Sequence, residues 1–185
     1  MKLLRFFIII FTTLTTPIKA DLYKNLINQL EDGGKLIFIR HAYAPGNGDP
    51  AGFNLNDCST QRNLSDDGRK QAQRIGEFFT KNKIEIDKVL SSEWCRCKET
   101  AKIAFKNYST NSFLNSFYSS KFSKNKDKQV KAFNYYIKNL EIEKNLIFVT
   151  HYVFISEVLN YGPSSGEIVV SDKNLNIIGS IEIDF

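Results

Sequence analysis

Apolar positions fall along this chain in two rhythms. Short unbroken runs at 36–39, 89–90 and 146–150 have the length and composition of buried strands. Between the first two the spacing becomes helical: Ala72, Ile75, Gly76 and Phe79 recur at i, i+3, i+4 and i+7 and form one face able to pack on a sheet. Ser65 reads as the N-cap of that helix, with Asp66 and Asp67 at its positive end. A helix over 128–140 is predicted by Val130, Phe133, Ile137 and Leu140 on one side. Another, over 22–30, is stopped by Gly33 and Gly34. Ser91 and Ser92 open a further helix that runs to about 105, and the tail offers strands at 167–170 and 177–183. The stretch 107–125 is polar and serine-rich and has no period. Strands alternating with helices predict a three-layer α/β/α domain with a mostly parallel central sheet. Such folds bind ligands beyond the carboxyl ends of their strands.

The first residues follow a different logic. Lys2 and Arg5, an apolar stretch, and Ala20 before Asp21 are ordered like a secretory signal peptide over 1–20. The strongly apolar part is shorter than the ~20 residues a bilayer span needs. Thr12, Thr13, Thr15 and Thr16 dilute it further. The expectation is a cleaved leader, no stable membrane insertion afterwards, and one domain over 21–185 in the periplasm or outside the cell. That length suits one core and is too short for two. The formal net charge of +5 falls to +2 without Lys2, Arg5 and Lys19, leaving 22 basic against 20 acidic residues. Most of the excess lies at 121–131, a pattern typical of a solvated surface, so nucleic acid is not an expected partner. The three cysteines match no zinc spacing. In an oxidising compartment an odd count predicts one disulfide and one free thiol. Cys58 pairs with Cys95 or Cys97; the expected partner is Cys97. Such a bridge would tie the loop after His41 to the segment that presents Arg96.

Both histidines of the chain stand directly after an apolar strand, His41 after 36–40 and His151 after 146–150. If those strands are parallel, the two imidazoles emerge on one sheet edge. Arg40 closes the first strand, and Arg96 lies at the start of the helix that follows the second. A guanidinium offers a planar fork of donors suited to phosphate oxygens, and a helix start adds free N–H groups and partial positive charge. Two arginines and two imidazoles at one spot make a pocket for a phosphoryl dianion. Arg62, in the loop, is either a further ligand or an ordinary surface charge.

Residues 36–42, Leu-Ile-Phe-Ile-Arg-His-Ala, resemble the Arg-His-Gly/Ala signature of the histidine phosphatase superfamily. Residues 63–72 are similar to its Leu-Ser/Thr-x-x-Gly-x-x-Gln-Ala segment. Ser91-Ser92 with Arg96 and Thr100-Ala101 is similar to the block carrying its second phosphate arginine. Val149-Thr150-His151 is similar to the block of its second histidine. With the leader, the loop around Gly48-Asp49-Pro50 and residues 57–62 resembles an exported bacterial branch. The resemblance implies a phosphoglycerate-mutase-like fold and hydrolysis of a small phosphomonoester without metal or cofactor. His41 would be the nucleophile and Arg40, Arg96 and His151 the groups that bind the equatorial oxygens. A neutral His41 would attack, and a protonated His151 would help bind phosphate. The family's general acid, a Glu or Asp, has no counterpart in 107–125, which holds no acidic residue. Glu93 is the first candidate, followed by Asp49 and Asp57; Asp127 reads as a surface charge. A phosphomutase, or a non-catalytic phosphate- or phospho-ligand-binding module, is the alternative.

Overall fold

Strand β1 (Leu36–Arg40) lies inside a six-stranded sheet, in the order β3-β2-β4-β1-β5-β6. Its neighbours are β4 (Asn145–Thr150), parallel, and β5 (Ile168–Ser171), antiparallel. Beyond β4 come β2 (Ile86–Ser91) and the two-residue β3 (Ser109–Thr110), both parallel; beyond β5 comes β6 (Ile177–Ile181), antiparallel. The mostly parallel expectation therefore holds for β1 to β4, and the tail adds an antiparallel pair. The computed structural model describes residues 16–184. The leader read at 1–20 falls mainly on residues outside that range. Among the described residues, no helix is long and apolar enough to cross a membrane.

Period-two alternation sorts the strand side chains into two cores. Ile37, Ile39, Ile147 and Val149 face α1 (Thr16–Glu31), α2 (Asp66–Lys81) and α3 (Cys95–Phe105). Leu36, Phe38, Leu146 and Phe148 face α5 (Lys126–Lys138) and α6 (Tyr152–Leu159). Both faces of β1 and β4 are thus covered, which is why those strands read as unbroken apolar runs.

Helix α2 begins as expected: the Ser65 hydroxyl accepts from the Gly68 N–H at 3.1 Å. Gly33 and Gly34, both at positive φ, turn the chain from α1 into β1. Helix α3 starts at Cys95, later than the expected Ser91, because the ladder continues past β2: the Ser92 N–H donates to Val149 O at 2.9 Å. The stretch without a period, 107–125, folds as short pieces anchored by buried Phe113, Leu114 and Phe117 and ends in the single turn α4 (Ser120–Ser123).

Candidate active site

The register of β1 on β4 pairs Arg40 with Thr150, so His41 and His151 leave the sheet side by side. The His41 N–H donates to Thr150 O at 2.9 Å, and the two rings lie 5.5 Å apart, edge to face. Both imidazoles are only 3% exposed. Arg96, on the first turn of α3, reaches between them. Its Nε donates to His41 Nε2 at 3.2 Å, and its Nη2 lies 3.5 Å from His151 Nδ1.

The chain after His41 is held by the residues of the 63–72 and 91–101 blocks. The Ala42 N–H donates to Thr100 Oγ1 at 3.0 Å, and the Tyr43 N–H to Gln71 Oε1 at 2.8 Å. The Ser65 N–H donates to Tyr43 O at 3.2 Å. Gly68 lies so close that a Cβ there would stand 2.0 Å from Tyr43 O. Ser65, Gly68, Gln71 and Thr100 therefore place the backbone beside the nucleophile candidate rather than touching a ligand themselves.

Hydrogen bonds assign the tautomers. Ala42 O only accepts, so His41 carries its proton on Nδ1, 2.9 Å away, and presents a lone pair on Nε2. Burial first, and then the charge of Arg96, push the His41 pKa well below its ordinary value. The ring is neutral, as a nucleophile must be. The same causes, with His41 third, lower the pKa of His151. This corrects the expected protonated His151: its surroundings are cationic and dry, and without an anion beside it the ring stays neutral. Because Arg96 only donates, His151 accepts at Nδ1 and turns its Nε2–H towards Ser92 Oγ, 2.9 Å away.

From Ser92 a directed chain leads away from the pocket. The Ser92 hydroxyl donates to Asn115 Oδ1 at 3.1 Å, and the Asn115 amide donates to Glu93 Oε2 at 2.5 Å. Glu93 does not line the pocket, and its carboxylate points to Asn115. Its assignment as the general acid is corrected on that ground; it steadies His151 through two intermediaries. Asp57 caps the turn Cys58–Thr60, and Asp127 lies exposed in the first turn of α5. Neither meets the pocket.

Asp49 does. Its Oδ1 accepts from Arg96 Nη1 at 2.8 Å and from the Arg62 N–H at 3.0 Å. Its Oδ2 accepts from Arg96 Nη2 at 3.2 Å and from Trp94 Nε1 at 3.0 Å. Burial alone would raise the Asp49 pKa, but the hydrogen bonds and charge of Arg96 outweigh it and hold the carboxyl below its ordinary range. Arg62 is not an ordinary surface charge: it lines the cavity and donates to Gly48 O at 2.7 Å and to Ala44 O, bracing the loop. Burial, then Arg96, bring its pKa down to about 10. Arg40 donates to Pro163 O at 3.0 Å and lies over the Tyr152 ring. Its Nε is buried and has no acceptor among the described residues.

The cysteine expectation is also corrected. Cys58 pairs with Cys95, Cα to Cα 5.6 Å, and Cys97 is free and buried. Side chains two apart on a helix point to opposite sides. Cys95 faces the loop, while Cys97 faces inward, its Sγ 3.5 Å from His151 Nε2. Burial pushes that thiol up to about 12, so it stays protonated and unreactive.

Arg40, His41, Arg62, Arg96 and His151 all border one cavity of about 490 Å³. The rest of its lining comes from residues 47–53, from Ser116, Tyr118, Ser119, Lys121 and Phe122, and from Trp94, Tyr152 and Val153. The sequence reading missed Ser92's bond to His151, Asn115, and the aromatic wall of Phe53, Trp94 and Phe122. Ser92 sat in a recognised block; the others carried no local signal.

Residues 36–113 match the sequence profile of the histidine phosphatase superfamily, branch 1. The fold is similar to that of phosphoglycerate mutase from Thermus thermophilus, at 16% identity and a TM-score of 0.57 over 81% of this chain and 99% of that one. It is also similar to the product of an open reading frame of Mycobacterium tuberculosis, at 15% identity and a TM-score of 0.53 over 74% of this chain and 89% of that one. No curated protein gives a significant sequence match.

Proposed function

We propose that this chain, whose residues 36–113 match the histidine phosphatase superfamily profile, hydrolyses phosphomonoesters through a phosphohistidine on His41. The observation that carries this reading is a neutral, buried His41 whose unprotonated Nε2, set by the Nδ1–H bond to Ala42 O, accepts from Arg96 Nε at 3.2 Å. An imidazole so placed attacks phosphorus without prior deprotonation.

Arg96 and Arg40 take the non-bridging oxygens. Arg40 lines the cavity beside His41 and is a second cationic group there, after Arg96. His151, neutral while the site holds no anion, gains basicity as a dianion approaches and then supports the charge of the transition state. Positioning and fixed charge do most of the work of phosphoryl transfer, and these arginines supply both without a metal. Water then attacks the phosphohistidine, returning His41 and releasing phosphate. A mutase would have to hold the departing alcohol and return the group to it; the aromatic rings of Phe53, Trp94 and Phe122 on the lining offer such an alcohol no hydrogen-bonding groups beyond the indole N–H, which Asp49 already accepts. The protein acts outside the cytoplasm in this reading, consistent with its leader-like start and with the Cys58–Cys95 bridge.

The engagement of Asp49 with Arg96 favours one second reading, a phosphate-binding module without turnover. Phosphate release from p-nitrophenyl phosphate in EDTA, together with acid-labile labelling of the wild type and of His41→Ala, separates the two. Release and a label lost in His41→Ala support the hydrolase. Binding of phosphate without release from any ester supports the module.

A further inference from the structure

Two independent features of the cavity bear on its substrate. The first is its wall. Phe53, Trp94 and Phe122 touch one another in a closed triad, with ring centroids 5.8, 5.7 and 5.3 Å apart. Trp94 also lies 5.3 Å from the His151 ring, edge to face, so the aromatic surface begins where the phosphoryl site ends. The cavity of about 490 Å³ falls within the roughly 300–1,000 Å³ of small-molecule sites. It holds more than a phosphate.

The second feature is the lack, among the described residues, of a carboxylic acid on the lining that is free to donate a proton. Among the described residues Asp49 is the one carboxylate on the lining, and both its oxygens are taken by four donors from Arg96, Arg62 and Trp94. A carboxylate held by two arginine N–H groups is an acceptor and has no proton to give. An alkyl alcohol has a pKa near that of water, about 15.7, and leaves poorly unless protonated. A phenol, at about 10, leaves as its anion. An aromatic wall alone would also stack a sugar ring; the missing acid decides between them.

We propose that the site takes aryl phosphomonoesters, with the phosphoryl group between Arg40, Arg96 and the two histidines and the aromatic body against Phe53, Trp94 and Phe122. The inference rests on the hydrolase reading above. His41 Nε2 gives its lone pair to phosphorus, the P–N bond forms, and the P–O bond to the ring carbon's oxygen breaks with its electron pair on that oxygen. The aryloxide takes a proton from water. Water then cleaves the P–N bond, so that one ester and one water yield one phenol and one inorganic phosphate.

The test compares esters and one variant, using the full chain with its disulfide intact. Phenyl phosphate is expected to exceed glycerol 2-phosphate and glucose 6-phosphate in kcat by on the order of 100-fold, the lower range of what a general acid contributes. Within substituted phenyl phosphates, kcat should fall steeply as the phenol becomes less acidic. Phe122→Ala, at a partly exposed position, should raise KM for phenyl phosphate about tenfold and leave inhibition by inorganic phosphate unchanged. Alkyl or sugar esters turned over within threefold of phenyl phosphate would overturn the aryl assignment and leave the hydrolase standing. So would an equal weakening of phenyl phosphate and inorganic phosphate in Phe122→Ala. No release from any ester would overturn the hydrolase reading, and this inference with it.

Discussion

Replacing Cys58 by alanine removes the bridge to Cys95 and little else, because the Cys58 side chain is exposed. The bond joins residues 37 apart. In the chain-entropy account, closing a loop of that length costs the unfolded chain about 13 cal/mol/K, or about 4 kcal/mol at 25 °C. For a domain of this size each kcal/mol moves Tm by roughly 2–4 °C, so Cys58→Ala should melt about 8–15 °C below the wild type. The bridge also fastens the loop of Asp49 and Arg62 to the start of α3, which carries Arg96. Inhibition by inorganic phosphate should therefore weaken along with Tm. Scanning calorimetry and a phosphate inhibition series read the two effects. Thiol titration of the unfolded, unreduced wild type should find one free thiol, Cys97. A Tm loss below about 2 °C, or three titratable thiols, would refute the reasoning.

Arg96→Lys keeps the charge and loses the fork that meets both Asp49 oxygens and His41; kcat/KM should drop at least about tenfold, or about 1.4 kcal/mol. Glu93→Gln should lower kcat less than tenfold, since the carboxylate acts through Asn115 and Ser92; a loss of 100-fold or more would restore it as the acid. Gly68→Ala drives a Cβ into Tyr43 O, 2.0 Å away, and should destabilise by about 1–3 kcal/mol in denaturant melts while lowering kcat through the displaced His41 loop. Both histidines have folded pKa values well below the ordinary one, through burial and then Arg96. Below about 6.5 the unfolded chain therefore binds protons that the folded chain refuses. Stability is complete above that pH and falls beneath it, by up to about 1.4 kcal/mol per pH unit for each imidazole; urea midpoints at pH 7.5 and 5.5 measure this.

What the chain determines by itself is what repeats locally. The unbroken apolar runs of β1 and β4 mark strands covered on both faces, and each ends at its histidine, so the pairing of His41 with His151 needed only the assumption of parallel strands. The same holds for α2, whose cap, acidic first turn and apolar face are all set within a few residues of one another. Strand direction in the tail was not local: β5 runs antiparallel to β1, and β6 folds back beside β5 through the short turn at 172–176. The cysteine pairing depended on where α3 begins and which way each of its sides faces. Only packing turned Cys95 to the loop and Cys97 to the core. Neither Glu93 nor Asp49 stands where the expected acid would, for a related reason: a carboxylate's role follows from the donors that surround it, and those donors come from distant segments. The neutral state of His151 and the wall of Phe53, Trp94 and Phe122 are likewise properties of burial and assembly. Periodicity and capping act through neighbours along the chain and can be read from it; electrostatic environment and pocket shape act through neighbours in space, and exist only once the chain has folded.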